Sequence, residues 1–398
     1  MNSLADTIRA LIAKYDSYYI STRRQVHVFA ETGGNEYKTS AFIEKELMEL
    51  GITVEKVSNT GLIGTLDTGR AGKTLALRAD IDALPVAENP SNLRRGRVCV
   101  SENAGSAHLC GHDAHTAMLL GAAKVLVDIQ SSLTGKILFC FEEGEEVGLG
   151  FKGMVETLRA KQIDAVLATH VLSTFESGKI NISPGPRMAG GRMIRMRVNG
   201  KGGHGSRPDL AINPVYAAAA IVANLPGALQ NKLNPEKPVT VGITAIQGGE
   251  TENVFPDYAD IKGTMRFFDA KEGAKAADVL KTVAESTAKM LGCTIDYDPS
   301  SAWLLKPVIN DRAISERAVR AISKLGLADA LAECPLWYAS ESFSAYLAEF
   351  PGALVFLGIK NDEYGSGAPH HNERFDVDEA VLALGVAAAV GFVVEDVI

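Results

Sequence analysis

The segment HLCGHDAH (108–115) places three histidines, one cysteine and one aspartate close together in the chain. Cys110 and His112 flank a glycine, so both side chains can turn toward one ion, and thiolate and imidazole are good ligands for zinc and similar metals. Two other interpretations stay open at this point. The segment could be a helix entrance capped by Asp113 with His115 in solvent, or it could hold a redox thiol, although no partner cysteine lies nearby.

Later segments hold further side chains that could bind metal or move protons. EEGEEVG (142–148) contains four glutamates, of which one could bind an ion while its neighbour acts as a general base. His170 ends an apolar run of strand type, and APHHNERF (368–375) contains His370 and His371. Each segment alone is more simply explained as a solvated loop or a core histidine. Their joint occurrence is what points to a metal site.

Alternating strand and helix signals precede these polar segments. TLALRAD (74–80), KILFCF (136–141) and DAVLATH (164–170) are short apolar runs typical of buried strands, and AHTAMLLGAAKVLVDI (114–129) has the pattern of a helix. This alternation predicts an α/β fold with a mostly parallel sheet flanked by helices. Ligands bind beyond the carboxyl ends of such strands. We therefore expect the cysteine, histidines and glutamates to form a two-metal hydrolytic site, with ions about 3.5–4 Å apart.

A different pattern in the middle of the chain predicts a second domain. Strands with period-two alternation, among them RMIRMRVNGKG (192–202) and YADIKGTMRFF (258–268), combine with two helices in the order βαββαβ. This order is typical of ferredoxin-like sandwiches. We therefore predict a catalytic domain formed by residues 1–185 and 300–398. An inserted lid and dimerisation domain is predicted at residues 186–299.

Composition excludes several classes of protein. The net charge is −8 without a run of lysine and arginine, which argues against a nucleic-acid partner. The longest apolar run (380–394) is shorter than a membrane span of about 20 residues and predicts a buried helix. The first residues lack the layout of a signal peptide, and the five scattered cysteines imply no disulfide framework. We therefore expect a cytoplasmic protein without membrane contact.

Motifs of a known family are spread over nearly the whole chain: RRQVHVFAE (23–31), LRADIDALPVAE (77–88), HLCGHDAHTAMLLGAAKVL (108–126), GKGGHGSRP (200–208), GGETENVFPD (248–257) and GTMRFFD (263–269). Together they resemble the metal-dependent amidohydrolase branch of the aminoacylase/carboxypeptidase superfamily. That branch includes hippurate hydrolases and indole-acetyl-amino-acid hydrolases. Ala30 departs from the proline that the family usually has there.

The resemblance implies a set of metal ligands. Cys110 would bridge two divalent ions, with manganese or zinc as the expected metal and cobalt as a further option. The other ligands would be His112, Glu146, His170 and His371.

It also implies roles beyond metal binding. Glu145 would be the general base, and His204 would stabilise the oxyanion, a residue that in relatives often comes from the partner subunit of a dimer. Asn253 and Arg266 match residues that hold the substrate carboxylate in some relatives. We therefore expect a homodimer formed through the inserted domain.

The resemblance also implies residues that orient the ligands, and the chain departs from the family pattern at some positions. Asp82 and Asp113 would orient ligands. The family's acidic motif usually reads Q-P-A-E-E, and here Glu142 and Glu143 add two carboxylates whose effect is open. The family usually has leucine where His370 stands, so His370 is a rival to His371, although the spacing to the following Phe and Asp favours His371.

The expected activity is metal-dependent hydrolysis of the amide bond in a small N-acyl amino acid or similar conjugate. A dipeptidase or carboxypeptidase that acts on small peptides is an alternative. A catalytically silent metal-binding interaction protein on the same fold is a second one, but it predicts loss of the base or of a ligand, and neither is missing. The apolar positions of SAWLL (301–305) and LWY (336–338) are candidates for an acyl pocket or for ordinary core.

Overall fold

The computed structural model describes residues 3–302 and 305–397. Within these residues the α-helices are α1 (Leu4–Lys14), α2 (Asp16–Phe29), α3 (Tyr37–Glu49), α4 (His112–Asp128), α5 (Phe151–Ala160), α6 (Pro214–Gln230), α7 (Ala270–Met290), α8 (Arg312–Lys324), α9 (Ser344–Leu347) and α10 (Leu382–Val394). The strands are β1 (Thr53–Lys56), β2 (Leu62–Asp67), β3 (Thr74–Asp80), β4 (Lys136–Glu142), β5 (Ala165–Glu176), β6 (Ile180–Asn181), β7 (Gly185–Met188), β8 (Gly190–Asn199), β9 (Gly203–His204), β10 (Val239–Gln247), β11 (Val254–Phe255), β12 (Tyr258–Phe267), β13 (Thr294–Tyr297), β14 (Val308–Asn310) and β15 (Gly352–Lys360).

The largest sheet has the strand order β1-β2-β4-β3-β5-β15-β6. Its four central strands, β4, β3, β5 and β15, run parallel, and the strands outside them are antiparallel. The central strands are buried almost throughout, as expected for apolar runs covered on both faces. Helices α4 and α10 pack against this sheet. The predicted mostly parallel sheet flanked by helices is therefore confirmed, with antiparallel strands added at both edges.

Helix α4, which begins within the segment HLCGHDAH, packs in the centre of the core. Most of α4 is buried, and so is most of α10, which forms from the longest apolar run of the chain. The two helices are in contact with each other. Among the helices of the described residues, none combines the length and the apolar character that a membrane crossing requires.

The strands of the predicted insertion form a separate four-stranded sheet with the order β10-β12-β8-β13. Along the chain its elements follow each other as β8, α6, β10, β12, α7 and β13, which is the predicted βαββαβ order. All its pairings are antiparallel. Helices α6 and α7 bury one face of the sheet through a core that includes Ile194, Ile221 and Leu280. The predicted ferredoxin-like domain is confirmed.

The described chain divides into two compact units. The first contains residues 3–185, 309–335 and 345–397, and the second contains residues 186–302, 305–308 and 336–344. The second unit thus extends beyond residue 299 and includes a short later segment. The lid and dimerisation roles of this unit remain predictions.

Candidate metal centre

The elements of the first unit bring the polar segments to the carboxyl ends of parallel strands. Strand β3 ends at Asp80, two residues before Asp82, and β4 ends at Glu142, just before a 3-10 turn (Glu145–Val147). His170 lies inside β5, because that strand continues to Glu176 rather than ending at the histidine.

Gly111 explains how the cysteine and histidine of the first motif can face the same point. Its φ of 88° lies in the left-handed region that favours glycine, and helix α4 begins at the next residue. A Cβ atom at this position would lie 2.3 Å from Cγ2 of Val171. Only glycine fits this turn, which sets the direction of Cys110 and His112 on either side of it.

The structure brings the five predicted ligands together. Ligand atoms of Cys110, His112 and Glu146 lie within 4.8 Å of one another. Nε2 of His170 is 3.7 Å from the Cys110 sulfur, and Nε2 of His371 is 3.1 Å from Oε1 of Glu146. One sulfur, three imidazoles and a carboxylate therefore meet in a small volume, which is a donor set suited to zinc, manganese or cobalt.

Hydrogen bonds fix the tautomers of two of these histidines. Nδ1 of His112 lies 3.0 Å from Oδ1 of Asp82, and Nδ1 of His170 donates to the carbonyl oxygen of Val171 at 2.7 Å. When neutral, both rings therefore carry their proton on Nδ1 and present an unprotonated Nε2 to the cluster. Nε2 of His112 is buried and has no hydrogen-bond partner within the described part of the chain. A buried nitrogen without a partner is costly, so this atom fits a metal ligand.

Asp82 supports two ligands at once. Its Oδ1 orients His112, and its Oδ2 accepts a hydrogen bond from the backbone N–H of Glu146 at 3.1 Å. Gly33 packs directly behind it, since a Cβ there would lie 3.3 Å from Oδ2 of Asp82 and 2.7 Å from Val147. The carboxylate is thus held in place between the helix and the turn.

Asp113, the other residue expected to orient ligands, contacts side chains of helix α2. Its Oδ2 accepts a hydrogen bond from Nε of Arg23 at 2.7 Å and lies 2.8 Å from Nδ1 of His27. Burial alone would raise the pKa of Asp113, but Arg23 and His27 lower it far below its usual range. Among the described residues its hydrogen bonds involve none of the five predicted ligands, so Asp113 anchors helix α4 to helix α2 instead.

His115, for which solvent exposure was one interpretation, is buried beside the cluster. Its Nδ1 lies 2.6 Å from Oδ1 of Asp80, and its Nε2 accepts a hydrogen bond from the backbone N–H of Val171 at 2.9 Å. Both ring nitrogens are occupied, so His115 cannot bind a metal in this arrangement. Sequence reasoning gave His115 no role beside the cluster, although its position one helical turn after His112 places it on the same face.

The two additional carboxylates of the acidic motif have partners outside the cluster. Glu142 accepts hydrogen bonds from Nε of Arg78 at 2.9 Å and from the hydroxyl of Tyr346 at 2.5 Å. Arg78 also pairs with Asp80 at 2.7 Å. Glu143 accepts hydrogen bonds from the segment around Thr60. Neither extra glutamate therefore competes with Glu146 for the position of a ligand.

His370 and His371 occupy different positions. Nδ1 of His370 is 3.6 Å from the Cys110 sulfur, while its Nε2 accepts a hydrogen bond from the backbone N–H of Ser173 at 3.1 Å. A neutral His370 ring therefore carries its proton on Nδ1 and points it at the sulfur. His371 has a left-handed backbone (φ 66°) and turns its Nε2 toward Glu146. This geometry supports His371 as the ligand and His370 as a hydrogen-bond donor to the sulfur.

The charges in the cluster favour binding of a cation. Burial and the nearby Glu146 raise the pKa of the Cys110 thiol well above its ordinary value. Burial alone would also raise the pKa of Glu146, but His371 and His112 lower it. A metal ion would supply the positive charge that allows a buried thiolate to exist here.

The second unit carries the other predicted site residues. His204 lies in the short strand β9, and its Nδ1 accepts a hydrogen bond from the backbone N–H of Ser206 at 3.2 Å. The carbonyl oxygen of Asn253 accepts a hydrogen bond from the N–H of Gly205, which holds Asn253 next to His204. Arg266 lies half-buried on β12.

The apolar segments considered for an acyl pocket are only partly described. Trp303 and Leu304 lie outside the described residues. Leu336 and Tyr338 are 37% and 45% exposed, so neither is a core residue. Their role in substrate binding stays a prediction.

Comparison with known proteins agrees with this site. Residues 76–395 match the family described as peptidase family M20/M25/M40. The chain is 32% identical over 389 residues to thermostable carboxypeptidase 1 of Saccharolobus solfataricus, covering 97% of each chain. It is 32% identical over 374 residues to N-acetyl-L-cysteine deacetylase of Bacillus subtilis, covering 93% of this chain and 86% of the relative.

A crystal structure of similar fold extends the comparison. The structure is that of a Bacillus subtilis protein described as a dinuclear metal-binding peptidase of family M20. Its TM-score is 0.81 at 28% identity, and the match covers 97% of this chain and 100% of the other. Sequence and fold thus agree over nearly the whole length.

Proposed function

Because the chain belongs to peptidase family M20/M25/M40, we propose that this hydrolase cleaves the amide bond of a small N-acyl amino acid, with Glu145 as the general base. The observation that carries the proposal is the group formed by Cys110, His112 and Glu146. Glu145 directly precedes Glu146, and both lie on the 3-10 turn Glu145–Val147.

Five side chains would hold two divalent ions. These side chains would be Cys110, His112, Glu146, His170 and His371. When bound, the ions would polarise the scissile carbonyl and lower the pKa of a water molecule. We propose manganese or zinc, with cobalt as a further option, because cysteine, histidine and carboxylate ligands accept all three.

Four residues would act on the substrate. Glu145 accepts a proton from the attacking water and delivers it to the leaving amine. His204 donates a hydrogen bond to the oxyanion, a role supported by the Ser206 contact that leaves the proton of a neutral ring on Nε2. Arg266 and Asn253 bind the carboxylate of the substrate, for which the planar fork of arginine is well suited.

An apolar rim beside the acidic turn favours an N-acyl substrate over a dipeptide. Val147 and Leu149, which follow Glu146, are 60% and 53% exposed, and Tyr37 is 56% exposed. Leu149 lies beside Gly34, and the hydroxyl of Tyr37 accepts a hydrogen bond from Asn59, which also donates to the carbonyl oxygen of Gly34. These contacts join the rim into one surface, which suits an acyl chain better than a free amino group.

Hydrolysis of small peptides remains the second candidate. The similarity to a thermostable carboxypeptidase favours it. A catalytically silent metal-binding protein would lack the base or a ligand, and this chain has Glu145 and all five ligand residues.

We also propose a homodimer formed through the second unit, in which His204 acts on the site of the partner copy. Strand β10 supports this assembly, because it is an edge strand of nine residues whose side chains are half-buried or exposed. Exposed edges of this length are prone to pair with another chain. Light scattering that finds a monomer at working concentration would contradict both parts of the proposal.

A cytoplasmic location is proposed on the cysteine content alone. The five cysteines are scattered and odd in number, which suits a reducing compartment. Fractionation of the source cells would test this.

The test of the function is metal analysis of the purified protein combined with a hydrolysis panel before and after chelation. We expect close to two ions per chain, and hydrolysis of N-acyl amino acids that is lost on chelation and restored by added metal. Higher kcat/KM for dipeptides than for every N-acyl amino acid would shift the proposal to the peptidase. A fully metal-loaded protein without turnover on either class would refute it.

A further inference from the structure

Three buried polar side chains lie beneath the turn that carries Glu145 and Glu146. They are Glu36 at the start of α3, Thr60 in the turn before β2, and Glu143, and at most 6% of each residue is exposed. None of them belongs to the proposed ligand set or to the proposed substrate contacts. Their contacts with one another are nevertheless short and specific.

One hydroxyl group joins the two carboxyl groups. Oγ1 of Thr60 lies 2.6 Å from Oε2 of Glu36 and 2.7 Å from Oε2 of Glu143. A threonine hydroxyl has a single proton and can donate to only one of the two oxygens. The second short contact therefore needs another proton, which must come from one of the carboxyl groups.

The remaining hydrogen bonds decide which carboxyl group holds that proton. Oε2 of Glu143 also accepts hydrogen bonds from the backbone N–H of Thr60 at 2.5 Å and of Gly61 at 3.2 Å. Three donors around one oxygen favour the ionised form. Oε2 of Glu36 contacts the Thr60 hydroxyl at 2.6 Å, whereas Oε2 of Glu143 is the oxygen that the two backbone N–H groups of Thr60 and Gly61 approach.

We propose that Glu36 and Glu143 share one proton through the Thr60 hydroxyl, with Glu36 as the protonated partner, and that this trio positions the turn bearing Glu145 and Glu146. In this arrangement Glu36 donates to Thr60, and Thr60 donates to Glu143. The proposal rests on the proposed function only where it concerns the reaction.

The charged groups that face Glu36 agree with a neutral side chain. Two of them are Glu143, across the Thr60 hydroxyl, and Asp82, and both are carboxylates. Burial and the charge of Asp82 raise the pKa of Glu36, although hydrogen bonds with Thr60 and the backbone oppose them. A second ionised carboxylate at this position would be costly in the buried environment.

The trio is connected directly to the catalytic turn. Oε1 of Glu36 accepts a hydrogen bond from the N–H of Gly144 at 2.7 Å, and Gly144 immediately precedes Glu145. Gly144 has a φ of 55°, a left-handed conformation that glycine adopts without strain, and the hydrogen bond from its N–H fixes the chain just before Glu145. Glu36, Thr60 and Glu143 would therefore be positioning residues, since they act through the turn rather than on the substrate.

Matched substitutions test the proposal through kcat. Glu36→Gln keeps both contacts of a protonated carboxyl group, because its amide nitrogen can donate to Thr60 while its oxygen accepts from Gly144. We expect its kcat to stay within about 2-fold of the original protein. Glu36→Ala should lower kcat by about 10- to 100-fold with little change in KM, since misplacement by about 1 Å can cost on the order of 100-fold.

A second pair of variants removes and restores the hydroxyl. Thr60→Val should lower kcat like Glu36→Ala, and Thr60→Ser should restore most of it. Thr68→Val is the matched control, because the Thr68 hydroxyl donates to the carbonyl oxygen of Gly135 and accepts from the N–H of Arg70, without contacting a carboxyl group in these bonds. Equal losses in Glu36→Gln and Glu36→Ala, or in Thr60→Ser and Thr60→Val, would overturn the positioning role.

An infrared difference spectrum tests the shared proton without any substrate. The original protein minus Glu36→Gln should show the carbonyl band of a protonated carboxyl group at neutral pH, and the original protein minus Glu143→Gln should not. Absence of the band in the first spectrum would overturn the shared proton. If the original protein hydrolyses nothing in the panel, the proposed function fails while this spectrum still decides the protonation.

Discussion

Replacing Asp82 with asparagine should weaken metal binding without changing the shape of the side chain. The carboxylate makes two contacts, one with Nδ1 of His112 and one with the N–H of Glu146. Asparagine has one acceptor and one donor in place of two acceptors. If its oxygen accepts from His112, its NH₂ group meets the N–H of Glu146. If the side chain flips, its NH₂ group faces Nδ1 of His112 and forces the proton onto Nε2, the atom needed for the metal.

The expected magnitude follows from losing one of these contacts. A hydrogen bond that involves a charged group contributes about 1.5–3 kcal/mol. Since about 1.4 kcal/mol corresponds to a tenfold change in an equilibrium constant, metal affinity should fall by about 10- to 100-fold. This range agrees with the loss of about 10- to 100-fold that is typical when partners of metal ligands are mutated.

The assay is titration of the metal-free protein with Mn²⁺ or Zn²⁺ by calorimetry or with a competing chelator. Asp378→Asn is the matched control, because Asp378 is buried in the same unit and accepts hydrogen bonds from Ser177 and Asn361. The control should bind metal like the original protein. Unchanged affinity in Asp82→Asn, with both variants folded by circular dichroism, would refute the assigned support of His112 and Glu146.

Three further predictions concern single residues of the first unit. Glu145→Gln should lower kcat by several orders of magnitude and leave the metal content intact, so near-normal turnover would remove Glu145 as the base. His371→Ala should lose metal from one position, whereas His370→Ala should retain more, and the reverse order in metal analysis would make His370 the ligand. Burial raises the pKa of Cys99 to about 11. Alkylation of folded Cys99 at pH 8, followed by mass spectrometry, should therefore be on the order of 100-fold slower than in the unfolded chain. The same upward shift means that the free energy of unfolding falls as the pH rises from about 8.5, where the unfolded thiol ionises, to about 11, where the folded thiol ionises.

Much of the fold could be predicted because its signals are local. The period-two alternation of β8 and β12 and the helical pattern of α7 each follow from a single segment. The short apolar run of β3 also ends at Asp80, as the sequence indicated. The convergence of the metal-binding side chains then followed from a general property of parallel sheets, that their carboxyl ends meet at one edge.

The supporting contacts could not be predicted, because they join residues far apart in the chain. Thr60 and Glu143 are separated by 83 residues, and no local pattern marks Thr60 as the partner of a carboxylate. The distinction between His370 and His371 likewise depends on which backbone group meets each ring. The orientation of Asp113 toward Arg23 is another long-range contact, and the family motif alone did not reveal it.

The acidic turn and its surroundings illustrate how a buried site can hold many carboxyl groups. Like charges cannot accumulate in a buried region unless each is paired or protonated. The guanidinium of Arg78 lies against both Glu142 and Asp80. The proposed proton on Glu36 would leave a single charge between Glu36 and Glu143. The charge of Glu146 is balanced differently. Its neighbours His112 and His371 must be neutral if they bind a metal through Nε2, so they then supply no positive charge. A bound metal ion would supply the positive charge that balances Glu146. The arrangement of side chains that identifies the ligands therefore also predicts the metal.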